Sequence, residues 1–151
     1  MHRVLPAALS AGASIWLLLL LAAPLESALV FIYDIGARIC HQRPERSFHL
    51  AGVPLPVCAR CFGLYLSGAA GAVAASAARR SPRSIDARRA RLVFAVAALP
   101  TLTTVAIEWL GLAIPSNIVR AVASLPLGAA AGWIFVRMLR AETAVTEAPA
   151  L

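Results

Sequence analysis

The fold class written in this sequence is an all-α integral membrane bundle: four transmembrane helices with a Cys/His-containing outer loop. Three observations predict it. The chain of 151 residues is 60% hydrophobic and 14% charged, against about 45–50% apolar and about 25% charged in soluble domains. Its apolar residues gather into four runs near the length that crosses a bilayer. Most of its basic residues flank those runs. A soluble domain of this size cannot bury so much apolar surface. The composition also excludes a disordered chain, a collagen and a secreted disulfide scaffold. No internal repeat is present, so residues 1–151 read as a single membrane domain.

The first run spans residues 6–24 and holds Trp16 and Leu17 to Leu21. His2 and Arg3 before it resemble the n-region of a signal peptide. Pro24, Leu25, Glu26 and Ser27 offer no small-x-small cleavage site, so the run reads as a retained helix. After it, Leu29, Ile32, Tyr33, Gly36 and Ile39 recur at helical spacing, with Asp34 and Arg38 at i,i+4. That stretch is too short to span comfortably. A kinked continuation of helix one and an amphipathic helix at the outer interface both fit it.

The second run covers residues 62–78 and is rich in Ala and Gly; the third covers 92–112 and the fourth 118–136. In lipid the backbone must satisfy its own hydrogen bonds, so each run forms a helix. Pro100 and Pro126 fall inside helices three and four and are expected to kink them. Gly63, Ser67, Gly71 and Ala75 make a small-residue row on helix two; Ser124, Gly128 and Gly132 make another on helix four. Such rows let backbones approach closely, so these two helices are expected to meet. Gly/Ala-rich helices also suit a membrane-protein partner or a homo-oligomer.

Charge sets the orientation. All fourteen basic residues are Arg, and the net charge is +7. Arg3, the loop arginines Arg79, Arg80, Arg83, Arg88, Arg89 and Arg91, and Arg137 and Arg140 share one side with Asp86, Glu142 and Glu147. The other side carries five arginines against four acids. The basic side is the cytoplasmic one. Both termini and the basic loop 79–91 therefore lie inside a cell inner (plasma) membrane, and the outer loop, 25–61, faces out. The basic loop could also touch anionic lipid headgroups. A pI near 11 would suit nucleic acid, but arginines flanking apolar runs make the lipid bilayer the partner and no nucleic acid is expected.

The outer loop holds the reactive residues. Cys40, Cys58 and Cys61 fall close together, and His41 adjoins the first. A C-x-x-C pair brings two sulfurs to one point, which suits a metal or a redox disulfide. With Cys40 and His41 it makes the donor set of a Cys₃His site for zinc or another divalent metal. Neighbouring residues seldom both ligate one ion, so a further reading places Cys40 or His41 outside the ligand shell, with His49 as a substitute. Three readings stand side by side: a bound metal, a Cys58–Cys61 redox pair on an oxidising side of the membrane, and a static disulfide or inert thiols. A non-catalytic subunit of a membrane complex is a further class.

Glu108 lies in helix three, four residues before the expected outer end. An ionisable residue in such a run is functional or paired. Arg120 at the start of helix four is its candidate partner, and both are candidate catalytic residues. Arg43, Arg46, Arg60 and Arg120 could form an anion or headgroup site, because Arg forks match phosphate geometry.

Three motifs bring in a family. They are Cys40-His41-Gln42-Arg43-Pro44-Glu45-Arg46-Ser47-Phe48, then Pro56-Val57-Cys58-Ala59-Arg60-Cys61-Phe62-Gly63 with Tyr65, and Ser116-Asn117 with Arg120. On these the chain resembles a group of small bacterial and archaeal multi-pass membrane proteins known as a domain of unknown function. The resemblance covers roughly residues 28–136. It implies a membrane location and a Cys/His cluster, and supplies no activity. The family usually has Asp-Gly where Glu108-Trp109 stand here, and Thr-Gly where Ala123-Ser124 stand.

Overall fold

The computed structural model describes residues 4–78 and 86–146. Arg3, Arg79, Arg80, Arg83 and Glu147 fall outside the described residues. In order, the elements are α1 (Val4–Ala22), a 3-10 turn (Ser27–Leu29), α2 (Phe31–Ile39) and a second 3-10 turn (Pro44–Arg46). There follow β1 (His49–Leu50), β2 (Val53–Pro54), α3 (Ala59–Ala77), α4 (Ala87–Trp109) and α5 (Asn117–Thr146). The protein is an all-α membrane bundle with one small hairpin in the loop that carries the cysteines. By length and composition alone, α1, α4 and α5 can cross a membrane. The run predicted as the second span is α3. It is helical over 19 residues, but Arg60 and its Gly and Ser residues dilute its apolar character. It lies inside the bundle, packed between α1 and α5.

Small residues decide that packing. The α3–α5 pair forms the most extensive interface of the bundle. A Cβ on Gly63 would strike the Ser124 hydroxyl and the Ala121 carbonyl. One on Gly128 would strike the Ser67 hydroxyl and the Leu64 carbonyl, and one on Gly132 the Gly68 carbonyl. The two helices thus meet along the two rows read from the sequence, backbone against backbone, as lipid-embedded helices do. The serines in the seam bond within their own helices: Ser67 Oγ donates to Gly63 O at 2.8 Å and Ser124 Oγ to Ala121 O at 2.6 Å. Neither hydroxyl is left unmet in an apolar interface.

The remaining helices are fastened by polar stitches. Ser10 on α1 and Ser76 on α3 share a hydrogen bond of 2.7 Å. Thr101 on α4 donates to Ala123 O on α5 at 2.9 Å. Arg140, late in α5, donates to the carbonyls of Ala75, Ser76 and Ala78. A cation there satisfies the last carbonyls of α3 and meets the negative end of its dipole.

Several helix ends differ from the runs expected in the sequence: α1 covers Val4–Ala22 and not 6–24, and α3 starts at Ala59 and not at 62, so Arg60 and Cys61 are helical and not in the outer loop. Helix four runs ten residues past the expected 136, and the 30 residues of α5 are about 45 Å long. That exceeds a hydrocarbon core of roughly 30 Å, so Arg137, Arg140 and Glu142 ride on a helix that outruns the apolar run. Helix three begins at Ala87 and not at 92, so Arg88, Arg89 and Arg91 are helical. Ala and Arg are strong helix formers, and only the hydrophobic run was visible as a span. Helix three also stops at Trp109. Gly111 takes φ 67°, its N–H bonds Glu108 O, and the N–H of Leu112 bonds Ile107 O. This is a Schellman stop, which needs a residue that tolerates a left-handed backbone. Glu108 consequently sits in the last turn of α4 and not four residues deep. The helix continues through Pro100, as α5 continues through Pro126.

The stretch after α1 resolves in favour of a separate helix. The chain turns at Ala23 to Leu25, and α2 then buries Ile32 and Gly36 while Phe31, Ile35 and Ile39 stay exposed. Ile32 joins Leu20, Ala23, Cys40 and Val57 in one buried cluster, flanked by Trp16, Leu19, Phe62 and Tyr65. That cluster is the floor on which the cysteine loop rests.

Candidate metal centre and arginine cluster

Cys40 follows the last residue of α2, and its own N–H closes that helix on Gly36 O at 2.9 Å. Cys58 is the N-cap of α3 and Cys61 lies in its first turn. The C-x-x-C pair therefore spans one helical turn, which stacks residues three apart on one face. Gln42 joins these two segments. Its Nε2 donates to Tyr33 O at 2.6 Å and to Pro56 O at 2.8 Å. The close approach of α2 to Pro56 also requires Gly36, where a Cβ would strike the Pro56 carbonyl. The hairpin is tied on by Tyr33 Oη, which donates to Pro54 O at 2.8 Å.

The result is three sulfurs converging. Sγ atoms of Cys40, Cys58 and Cys61 all lie within 4.8 Å of one another. Cys58 and Cys61 are 3.5 Å apart at Sγ, and the Cys58 N–H donates to Cys40 Sγ at 3.2 Å. Cys40 is buried and the other two are half-buried; all three are free. Around a tetrahedral zinc, bonds of about 2.3 Å set sulfurs roughly 3.8 Å apart. The observed spread brackets that separation. An amide N–H aimed at a sulfur stabilises thiolate over thiol, as outer-shell bonds do at metal thiolates. The three cysteines are thus near enough, and of the right donor type, to hold a metal ion. The Cys58 thiol is lowered to about 5. The hydrogen bond from the Cys61 thiol is the largest cause, with the Cys61 and Arg60 backbone and Cys40 adding to it and burial opposing.

His41 is adjacent in sequence but exposed, and it does not join the sulfur group. His49 is exposed on β1. Among the described residues the group holds the three cysteines alone.

A second cluster forms at the same end of the bundle. Glu108 Oε2 accepts from Arg60 Nη2 at 2.7 Å. Its Oε1 is 3.0 Å from both Arg120 Nη2 and Arg46 Nη2. One carboxylate thus gathers arginines from α3, α5 and the 3-10 turn in the loop. Glu108 faces the bundle and not lipid. Asn117 extends the network. Its Oδ1 accepts from Arg120 Nη1 at 2.9 Å, and its Nδ2 donates to Ser47 O at 3.0 Å. Arg43, the fourth arginine of the expected anion group, is exposed and lies 4.0 Å from Glu45. It is not brought into the cluster. Arg60, two residues from Cys58 and next to Cys61, belongs to the segment that serves both clusters.

Gln42, Gly36 and Asn117 had no assigned role in the sequence reading. Gln42 carried a signal, since it lies in the first family motif. Its positive φ of 47° and its two backbone acceptors depend on tertiary contacts that no periodicity shows.

A family model described as "Predicted membrane protein (DUF2085)" matches residues 40–134, a stretch that includes every residue of both clusters. An uncharacterized protein of Methanocaldococcus jannaschii is 50% identical over 36 residues, 24% of this chain and 23% of that one. An uncharacterized protein of Methanothermobacter thermautotrophicus is 57% identical over 28 residues, 18% of this chain and 25% of that one. The matched stretch thus spans about a quarter of the length of each of these relatives. No solved structure matches the chain.

Proposed function

For this chain, which belongs to the DUF2085 family of membrane proteins, we propose a metal-thiolate function: Cys40, Cys58 and Cys61 hold one zinc ion on the outer side of the inner membrane. The convergence of three sulfurs within 4.8 Å supports the reading. Soft thiolates select zinc over the hard divalent cations. Three protein ligands leave the fourth position open. With zinc held by Cys40, Cys58 and Cys61, the open position would offer Lewis-acid chemistry. The chain's part is to fix the sulfurs. Gln42 and Gly36 hold the Cys40 segment against Pro56, and the Cys58 N–H steadies the Cys40 thiolate.

Elemental analysis tests this on the full chain purified without chelator. About one zinc per chain is expected, the stoichiometry of such a site, and Cys58→Ser should lose it. A metal-free wild-type protein would overturn the reading.

A second reading has its own support in the 3.5 Å Cys58–Cys61 contact and the lowered Cys58 thiol. In thiol–disulfide exchange, the Cys58 thiolate attacks one sulfur of a partner's disulfide and expels the other as thiolate. Cys61 gives up its proton and attacks Cys58 Sγ, which expels the second partner thiolate. The pair loses two electrons and the partner's disulfide gains them. Thiol titration before and after reduction separates the readings. A reducible Cys58–Cys61 bridge favours exchange; three thiols released only by chelation favour the metal.

The charge asymmetry supports an outward cluster and cytoplasmic termini. A C-terminal fusion to a fluorescent protein should be bright, and a fusion to alkaline phosphatase inactive. The reverse pattern would move both clusters to the cytoplasmic, reducing side and remove the argument for exchange.

A further inference from the structure

We propose that Arg46, Arg60 and Arg120 form a binding site for a phosphate-group oxyanion, with Glu108 as the internal carboxylate that holds the arginines in place. The inference does not depend on what the cysteines bind.

Charge is the first argument. Three guanidinium groups contact one carboxylate, which leaves an excess of two positive charges. Glu45, the acid nearest in sequence to Arg46, lies instead beside Arg43, where both side chains are largely exposed. Arg120 is only 5% exposed and Arg60 17%, so water cannot fully screen that excess.

Unmet donors are the second argument. The Nε atoms of Arg60 and Arg120 are buried and have no acceptor. Each belongs to the same planar guanidinium that reaches Glu108 through Nη2, so both unmet donors lie in the cluster itself. Arginine cannot shed its proton to escape the cost. Buried polar atoms are nearly always satisfied by a protein group, a water or a bound ion, and these two donors find no acceptor within the protein.

The chemistry of that partner follows. It must accept from more than one guanidinium while Glu108 already occupies one Nη2 on each. It must also offset more than one positive charge. A carboxylate brings two oxygens and a single charge. A phosphate group presents three or four oxygens around one centre and carries roughly 1.5–2 negative charges at neutral pH. Two sources share this chemistry: a lipid headgroup with a terminal phosphate, and free phosphate from the aqueous side.

Binding to the full chain in a phosphate-free non-ionic detergent tests the site. The probes are inorganic phosphate and short-chain phosphatidic acid, read by calorimetry, with sodium chloride at matched ionic strength as control. Binding of both probes assigns a water-borne ligand, and binding of phosphatidic acid alone assigns a headgroup; either supports the site. Arg46→Ala should fold, since Arg46 is the most exposed of the three at 37%. It should weaken binding by about tenfold or more, the loss of one charge-assisted bond. Three results would overturn the proposal: neither probe binds, chloride gives the same signal, or Arg46→Ala binds like the wild type.

Discussion

Gly128→Val is expected to unfold or severely loosen the bundle, lowering its stability by about 3 kcal/mol or more. Overpacking a filled core costs typically 1–3 kcal/mol when neighbouring side chains can shift. Here one obstacle is the Leu64 carbonyl, part of the α3 backbone, and the other is the Ser67 hydroxyl, already committed to its own helix. The helices would have to move apart. That separation opens the contacts at Gly63, Gly71 and Gly132 together, because all of them lie in the same α3–α5 seam. It also carries Cys61 and Arg60 on α3 away from Arg120 on α5, so the damage reaches the cysteine and arginine clusters. Gly12→Val is the matched control. A Cβ at Gly12 meets nothing within 4 Å, and losing a helical glycine removes backbone entropy from the unfolded chain. Thermal unfolding in detergent, followed by far-UV circular dichroism, decides the matter. Equal melting of the two variants would mean that the α3–α5 seam is not the structural axis.

That seam was legible because its signal is local. Small residues repeat at four-residue spacing on Gly63, Ser67, Gly71 and Ala75, and again on Ser124, Gly128 and Gly132. Only backbone-to-backbone packing makes use of such rows in lipid. The three cysteines were legible for a similar reason, since the donor type names the chemistry and C-x-x-C fixes two of the positions. Other features had no local signature. The hairpin at His49–Pro54 turns through Ala51 at φ 51° and Gly52 at φ 81°. The favoured two-residue turn has positive φ at both positions and prefers Asn-Gly, and alanine at the first conceals it. Helix α4 could be followed only while its residues were apolar, so its arginine-rich first turns looked like loop. Glu108 was visible as an anomaly, but one partner was expected and the fold supplies three. Arg46 and Arg60 reach it from segments 62 and 48 positions away, and only the folded bundle brings them together.

Glu108→Ala should be the most damaging single change in the arginine cluster, costing about 3–5 kcal/mol. Its carboxylate is 9% exposed, and its loss leaves two largely buried arginines facing each other without a counter-charge. Much of the cost belongs to those stranded cations and not to the lost attraction. Removing the most buried of them as well should therefore recover part of the stability. The double variant Glu108→Ala/Arg120→Ala is expected to be more stable than the sum of its single changes by roughly 1–3 kcal/mol, the range for residues in one network. Recovery should be incomplete, because Arg60 and Arg46 remain unpaired and Asn117 loses the Arg120 Nη1 donor that its Oδ1 accepts. Glu108→Asp separates geometry from charge. It keeps the negative charge on a side chain one methylene shorter, which cannot reach Arg46, Arg60 and Arg120 together, so it should fall between wild type and alanine. Denaturant or thermal melts of the four proteins complete the cycle. Additive losses would show that Glu108 and Arg120 act independently, and the carboxylate would then have to be explained without its arginines.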